Sequence, residues 1–71
     1  MIELKTKIFE YRREQHITQG DLADMVGVRR ETIARLERGQ YNPSLKLAYD
    51  IANVFGVPIE EVFQFTETED R

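Results

Sequence analysis

The chain has 71 residues, of which 41% are hydrophobic, with ten basic and thirteen acidic side chains, a net charge of −3 and no cysteine. This length allows one small domain over residues 1–71 and leaves too little chain to enclose a catalytic pocket, so no enzyme is expected. Disulfides and thiolate metal sites are excluded, the single His16 cannot hold a metal by itself, and no cofactor is expected.

No apolar run approaches the roughly 20 residues of a membrane span. No signal-peptide core precedes the first polar segment, so the expected location is the cytoplasm, with no membrane partner. Ile2 and Leu4 alternate with polar neighbours, which permits a brief strand. A first helix is expected over residues 5–15, with Ile8 and Tyr11 on its core face and Phe9 off that stripe, either partly exposed or part of an interface. Arg12 lies close enough to the core to reach a carboxylate on another helix.

Residues 18–38, TQGDLADMVGVRRETIARLER, read as two short helices joined by a tight turn. Thr18 is a good N-cap, since its oxygen can accept from the unpaired amides of the first turn. Leu22, Ala23 and Val26 form one buried stripe. Gly27 sits where the chain must reverse, because glycine takes positive φ without steric penalty. The second helix is expected from Arg30 to Arg38, with Gly39 stopping it. Two helices crossing at such a turn form a helix-turn-helix unit, whose second helix can enter the DNA major groove.

At about 100° per residue, Ile33, Leu36 and Glu37 share one arc of that second helix. Arg30, Glu31, Ala34, Arg35 and Arg38 fall on the opposite arc, with Thr32 at its margin. Arginines presented this way can make bidentate hydrogen bonds with base edges and phosphates. The plainer reading of a charged helix face is a solvated surface. Two features argue against it here. Ala34 in the middle of the face permits close approach to a groove floor, and Arg29 and Arg30 set positive charge against the positive end of the helix dipole, a conflict that phosphate would relieve. Glu37, on the inner arc, is the expected partner of Arg12.

After Gly39, Asn42-Pro43 forces extended geometry and a turn. Ser44 is the expected cap of a fourth helix, with Leu45, Ala48, Ile51, Ala52 and Phe55 on its buried face and Gly56 at its end. Pro58 opens a fifth helix over residues 58–63. Residues 63–66 then alternate with period two, a strand signal, and residues 68–71 read as a frayed tail. That strand could pair with residues 2–4 of its own chain, with a second copy, or with both. Charge is segregated along the chain, net +3 over residues 29–46 and net −4 over residues 60–71. The first is the local basic patch that phosphate contact needs.

With these residues in place, the chain resembles the Cro/C1-type (Xre-like) helix-turn-helix transcriptional regulators over residues 8–63. The resemblance rests on Ile17-Thr18-Gln19, Leu22-Ala23, Val26-Gly27-Val28, Glu31-Thr32-Ile33, Leu36-Glu37-Arg38-Gly39 and Tyr41-Asn42-Pro43-Ser44-Leu45, in that order. The segment Pro58 to Phe65 resembles the small dimeric repressors of this kind that append a short β-element to five helices. The implied fold is all-α, a five-helix, lambda-repressor-like domain with a small terminal β-element.

The resemblance implies that Gln19 binds a phosphate and braces the recognition helix. It places Arg29, Arg30, Glu31 and Thr32 at the groove edge, Arg35 against bases or phosphate, and Tyr41 and Asn42 on the backbone beyond. With Arg38 on the same outer arc, these nine residues are the candidate DNA-binding set. Arg12 with Glu37 matches a structural salt bridge of the family. Arg29 departs from the pattern, because the family often has a capping Ser or Thr there.

The function expected is a sequence-specific, dimeric regulator, a repressor on a pseudo-palindromic double-stranded operator. The homodimer would form through residues 57–66, where Ile59, Val62, Phe63 and Phe65 are too apolar for a free tail. The alternative keeps the fold and makes the chain an antitoxin or partner-controlled interaction module. The acidic tail or the apolar C-terminal segment would then bind another protein.

Overall fold

Two helices of this chain start where a side chain satisfies their first amides, and strands lie where apolar residues alternate towards its two ends. The computed structural model describes residues 2–67 in the order β1 (Ile2–Thr6), α1 (Ile8–Glu14), α2 (Gln19–Val26), α3 (Arg30–Glu37), α4 (Leu45–Phe55), α5 (Ile59–Val62) and β2 (Phe63–Glu67). The expected tail, residues 68–71, lies outside the described residues. Five helices with a small β-element is the fold class read from the sequence.

Thr18 caps α2 reciprocally: its hydroxyl accepts from the Asp21 amide at 2.9 Å, and the Asp21 carboxylate accepts from the Thr18 amide at 3.2 Å. Ser44 caps α4 by accepting from the Leu47 amide at 3.1 Å. The turn between α2 and α3 passes through Gly27 at φ 75°.

The core forms where all five helices meet. Ile8, Leu22, Ile33, Leu36, Ile51 and Val62 are completely buried, one or two from each helix. Leu47, Ala48, Ala52 and Phe55 of α4 fill the space between them, and Tyr11 of α1 stacks on Phe55 with ring centroids 5.4 Å apart. Leu45 was expected in this core and is 77% exposed, while Leu47 is buried in its place. Leu45 is the first residue of α4, and two residues further along turn the side chain by about 200°, from the outer surface to the core.

β1 and β2 pair antiparallel within the chain, with Ile2 opposite Glu67, Leu4 opposite Phe65 and Thr6 opposite Phe63. This is the within-chain pairing among the alternatives for the terminal strand. It also moves the start of the first helix from residue 5 to Ile8, because Lys5 and Thr6 belong to the ladder and the Lys7 amide donates to the Val62 carbonyl at 2.8 Å. Similarly, α5 is shorter than expected: Pro58 is its extended N-cap, and Phe63 already has strand geometry.

The sheet rests on the end of α3. The Thr6 hydroxyl donates to the Leu36 carbonyl at 3.4 Å. Gly39, at φ 70°, passes so close that a Cβ there would lie 2.7 Å from the Leu4 carbonyl oxygen. Glycine is required here twice over, by its conformation and by the contact.

Candidate nucleic-acid interface

α3 divides into two faces as its spacing requires. Ile33 and Leu36 are fully buried, whereas Arg30, Glu31, Arg35 and Arg38 are exposed, with Thr32 and Ala34 half-buried between them. Eight residues make a helix about 12 Å long, short enough for all four charged side chains to face one groove segment. Arg29 occupies the N-cap in extended geometry without a side-chain cap hydrogen bond. The start of α3 therefore carries two arginines beside Glu31 and no side-chain cap, in contrast to the capped starts of α2 and α4. An anion is the group that such an end attracts.

Behind this face runs a chain of polar side chains that crosses three helices. Arg12 of α1 donates from Nε to Glu37 Oε2 at 2.6 Å, from Nη2 to Glu37 Oε1 at 3.3 Å, and from Nη1 to the Ile17 carbonyl at 3.1 Å. The paired side chains are 11% and 10% exposed. Gln19 of α2 donates from Nε2 to Glu37 Oε1 at 3.0 Å, and Arg30 Nη1 donates to Gln19 Oε1 at 3.2 Å. The residues pointed to the Arg12–Glu37 pair and the resemblance implied that Gln19 braces α3, but neither identified the link from Gln19 to Arg30. That link depends on where two side chains meet across a turn, and no local signal encodes it.

The other end of α3 meets β1. Arg38 Nε donates to Gln40 Oε1 at 3.1 Å, and Tyr41 and Asn42 are exposed. Together they border an open polar groove of about 720 Å³ whose opposite wall is β1, including Lys5. Lys5 was missed as a member of this surface because the first helix was expected to begin there. Its ammonium lies 3.3 Å from the exposed Glu3 carboxylate.

The residues expected to make a dimer interface do not all reach the surface. Val62 is completely buried in this chain's own core, whereas Phe63, 7% exposed, packs in the core and also lines the apolar groove beside it. Ile59 is half-buried, and Phe65 is 65% exposed. The sequence marked all four as apolar but could not show how far the body beneath the terminal strand extends. Three of the four, Ile59, Phe63 and Phe65, line an apolar groove of about 340 Å³ together with Leu4, Leu45 and Ala48.

Among the described residues no helix is long and apolar enough to cross a membrane. A helix-turn-helix family model matches residues 8–62, which span all five helices. The chain is 58% identical over 66 residues, 93% of each chain, to an uncharacterized HTH-type transcriptional regulator of Archaeoglobus fulgidus. It is 33% identical over 63 residues to the transcriptional repressor RstR of a cryptic CTXphi phage in Vibrio cholerae, covering 89% of this chain and 57% of that one. Among solved structures, the restriction-modification controller protein C.AhdI of Aeromonas hydrophila superposes with a TM-score of 0.71 at 29% identity, covering 78% of this chain and 83% of that one. These matches run through the capped α2, the Gly27 turn and the two-faced α3, and the chain belongs to the helix-turn-helix family of transcriptional regulators.

Proposed function

We propose that this chain is a dimeric repressor that reads a pseudo-palindromic operator with α3. The outward face of α3 supports this most directly: Arg30, Glu31, Arg35 and Arg38 lie exposed on a short helix whose start is uncapped and positively charged. Arg29, Thr32, Tyr41 and Asn42 flank that face and supply backbone contacts, and Gln19 stands behind Arg30. Two copies would set their α3 helices in successive major grooves about 34 Å apart. Relatives named as repressors favour repression as the outcome.

The dimer would form at the apolar groove, with Val62 supporting it from the core. Leu4, Phe63 and Phe65 lie on one face of the sheet, and Phe65 remains about two-thirds exposed in the groove that Leu45 also lines. A second copy is the occupant whose own Phe65 and Leu45 match this lining. A selection of bound duplexes from a random library at about 150 mM salt, near physiological screening, tests the reading. A two-fold symmetric motif with half-sites one helical turn apart is expected. A folded protein that enriches no motif would end it.

A further inference from the structure

From the outer face of β1 we infer that Lys5 adds a DNA phosphate contact outside the helix-turn-helix unit, and that Glu3 holds its ammonium until the phosphate takes it. The inference rests on the reading of α3 as a groove helix. The segment matched to the family begins at residue 8, two residues after β1 ends. Along β1, Leu4 is buried and the Thr6 hydroxyl donates to the Leu36 carbonyl. Glu3 and Lys5 therefore alternate onto the other face of the sheet, across from Thr66 and Gln64. The strand is docked on the end of α3 through the Leu4 carbonyl, which Gly39 approaches too closely to admit a Cβ. Lys5 follows that docking point directly on one side, and Arg38 and Gln40 flank it on the other. All three residues line the open polar groove of about 720 Å³, with Tyr41 and Asn42.

The groove continues the charged face of α3 past its last turn. Among the described residues Arg38 engages only its Nε, on Gln40, which leaves the Nη groups of its fork for an anion. Two carboxylates also line the groove. Glu37 is neutralised by Arg12, so Glu3 is the one that opposes an anion. Its ion pair with Lys5 is solvated, with side chains 44% and 62% exposed, and an exposed pair of this kind contributes little to stability. A phosphate oxygen can therefore displace the Glu3 carboxylate from Lys5 at small cost. In a chain of net charge −3, each cation brought to the duplex works against a repulsive background. Lysine suits this place as a compact point charge on a flexible stem, which meets a phosphate without reading a base. The contact adds affinity and no sequence preference.

The experiment is a salt titration of binding by wild type, Lys5→Gln, Lys5→Arg, Lys7→Gln and Glu3→Gln, on the library-selected duplex and on one duplex of arbitrary sequence. In Lys5→Gln the slope of log affinity against log salt should become shallower by about 0.9 for each protomer bound, on both duplexes, with the selected motif unchanged. Lys5→Arg should keep the wild-type slope. So should Lys7→Gln, which removes the same charge two residues away from an exposed side chain outside the groove. Glu3→Gln should bind both duplexes roughly threefold more tightly. Ethylation of single phosphates should reveal one position that blocks wild type and is tolerated by Lys5→Gln. A wild-type slope in Lys5→Gln would overturn the inference, and so would an equal loss in Lys7→Gln, which would make the effect one of net charge. Unchanged affinity in Glu3→Gln would overturn the part given to Glu3. A library without a motif would end the operator reading alone, because the arbitrary duplex at low salt still reports the Lys5 contribution. A protein that binds neither duplex at any salt would overturn both.

Discussion

The two ends of this molecule are finished in opposite ways. At the α2–α3 end, polar side chains from three helices close on one another, from Arg12 through Glu37 and Gln19 to Arg30. At the sheet end, the apolar side chains of Ile2, Leu45 and Phe65 have more than half their surface in solvent. The first end is ordered by bonds inside one chain, so its geometry can be set before any ligand arrives. The second has unburied apolar surface that only another surface can cover. A reader of DNA needs the first kind of surface to be rigid. A subunit that joins a copy of itself needs the second kind to be incomplete.

The sharpest way to break this contrast is to cut the polar chain at its buried link. Arg12→Met should cost about 3–5 kcal/mol in urea unfolding, because it leaves the Glu37 carboxylate buried without its partner. Adding Glu37→Leu should recover most of that stability while releasing Gln19 and Arg30. A loss below about 1 kcal/mol for the single variant would mean the pair does not organise this end. Gly39 tests the place where the two ends touch. Gly39→Ala meets both a left-handed φ and the Leu4 carbonyl, and should cost about 3 kcal/mol. Gly27→Ala meets only the conformational term, since nothing lies within 4 Å of its Cβ, and should cost about 1–2 kcal/mol.

Two further variants separate recognition from assembly. Arg35→Ala should weaken binding to a selected duplex by about 1–3 kcal/mol if the side chain reads a base, with thermal unfolding of the protein unchanged. Phe65→Asp should change protomer stability by less than about 0.5 kcal/mol, as for other exposed positions. In sedimentation it should nevertheless convert a dimer to a monomer and weaken operator binding with it. A Phe65→Asp protein that remains a tight dimer would move the interface elsewhere.

The α2–α3 unit was legible because its signals are local. Thr18 caps within three residues, Gly27 reverses the chain alone, and the 3.6-residue period of Ile33 and Leu36 separates the two faces of α3. Arg12 and Glu37 could be matched because Arg12 lay close to the core and Glu37 on the inner arc of its helix. The β1 strand was legible only in part. Residues 5 and 6 are compatible with a helix by themselves, and their strand geometry comes from a partner almost at the other end of the chain. Leu45 and Leu47 show the same limit at a helix start, where two residues decide between core and surface. Phe63 and Phe65 differ more subtly. They occupy one face of one strand, and their burial, 7% against 65% exposed, depends on where the body beneath them ends.

The position of the sheet in the chain also bears on the order of folding. Thr6 pairs with Phe63 and Ile2 with Glu67, so the ladder closes a loop containing every helix. Loop closure of that span is entropically costly until the intervening helices have compacted. Contacts between neighbours such as α2 and α3 carry no such cost, and they should be present in the folding transition state, with the ladder added afterwards. The apolar ledge beside Leu45 and Phe65 would then come into being only at the last step. A nascent or partly folded chain would have its recognition helix before it had a surface for self-association.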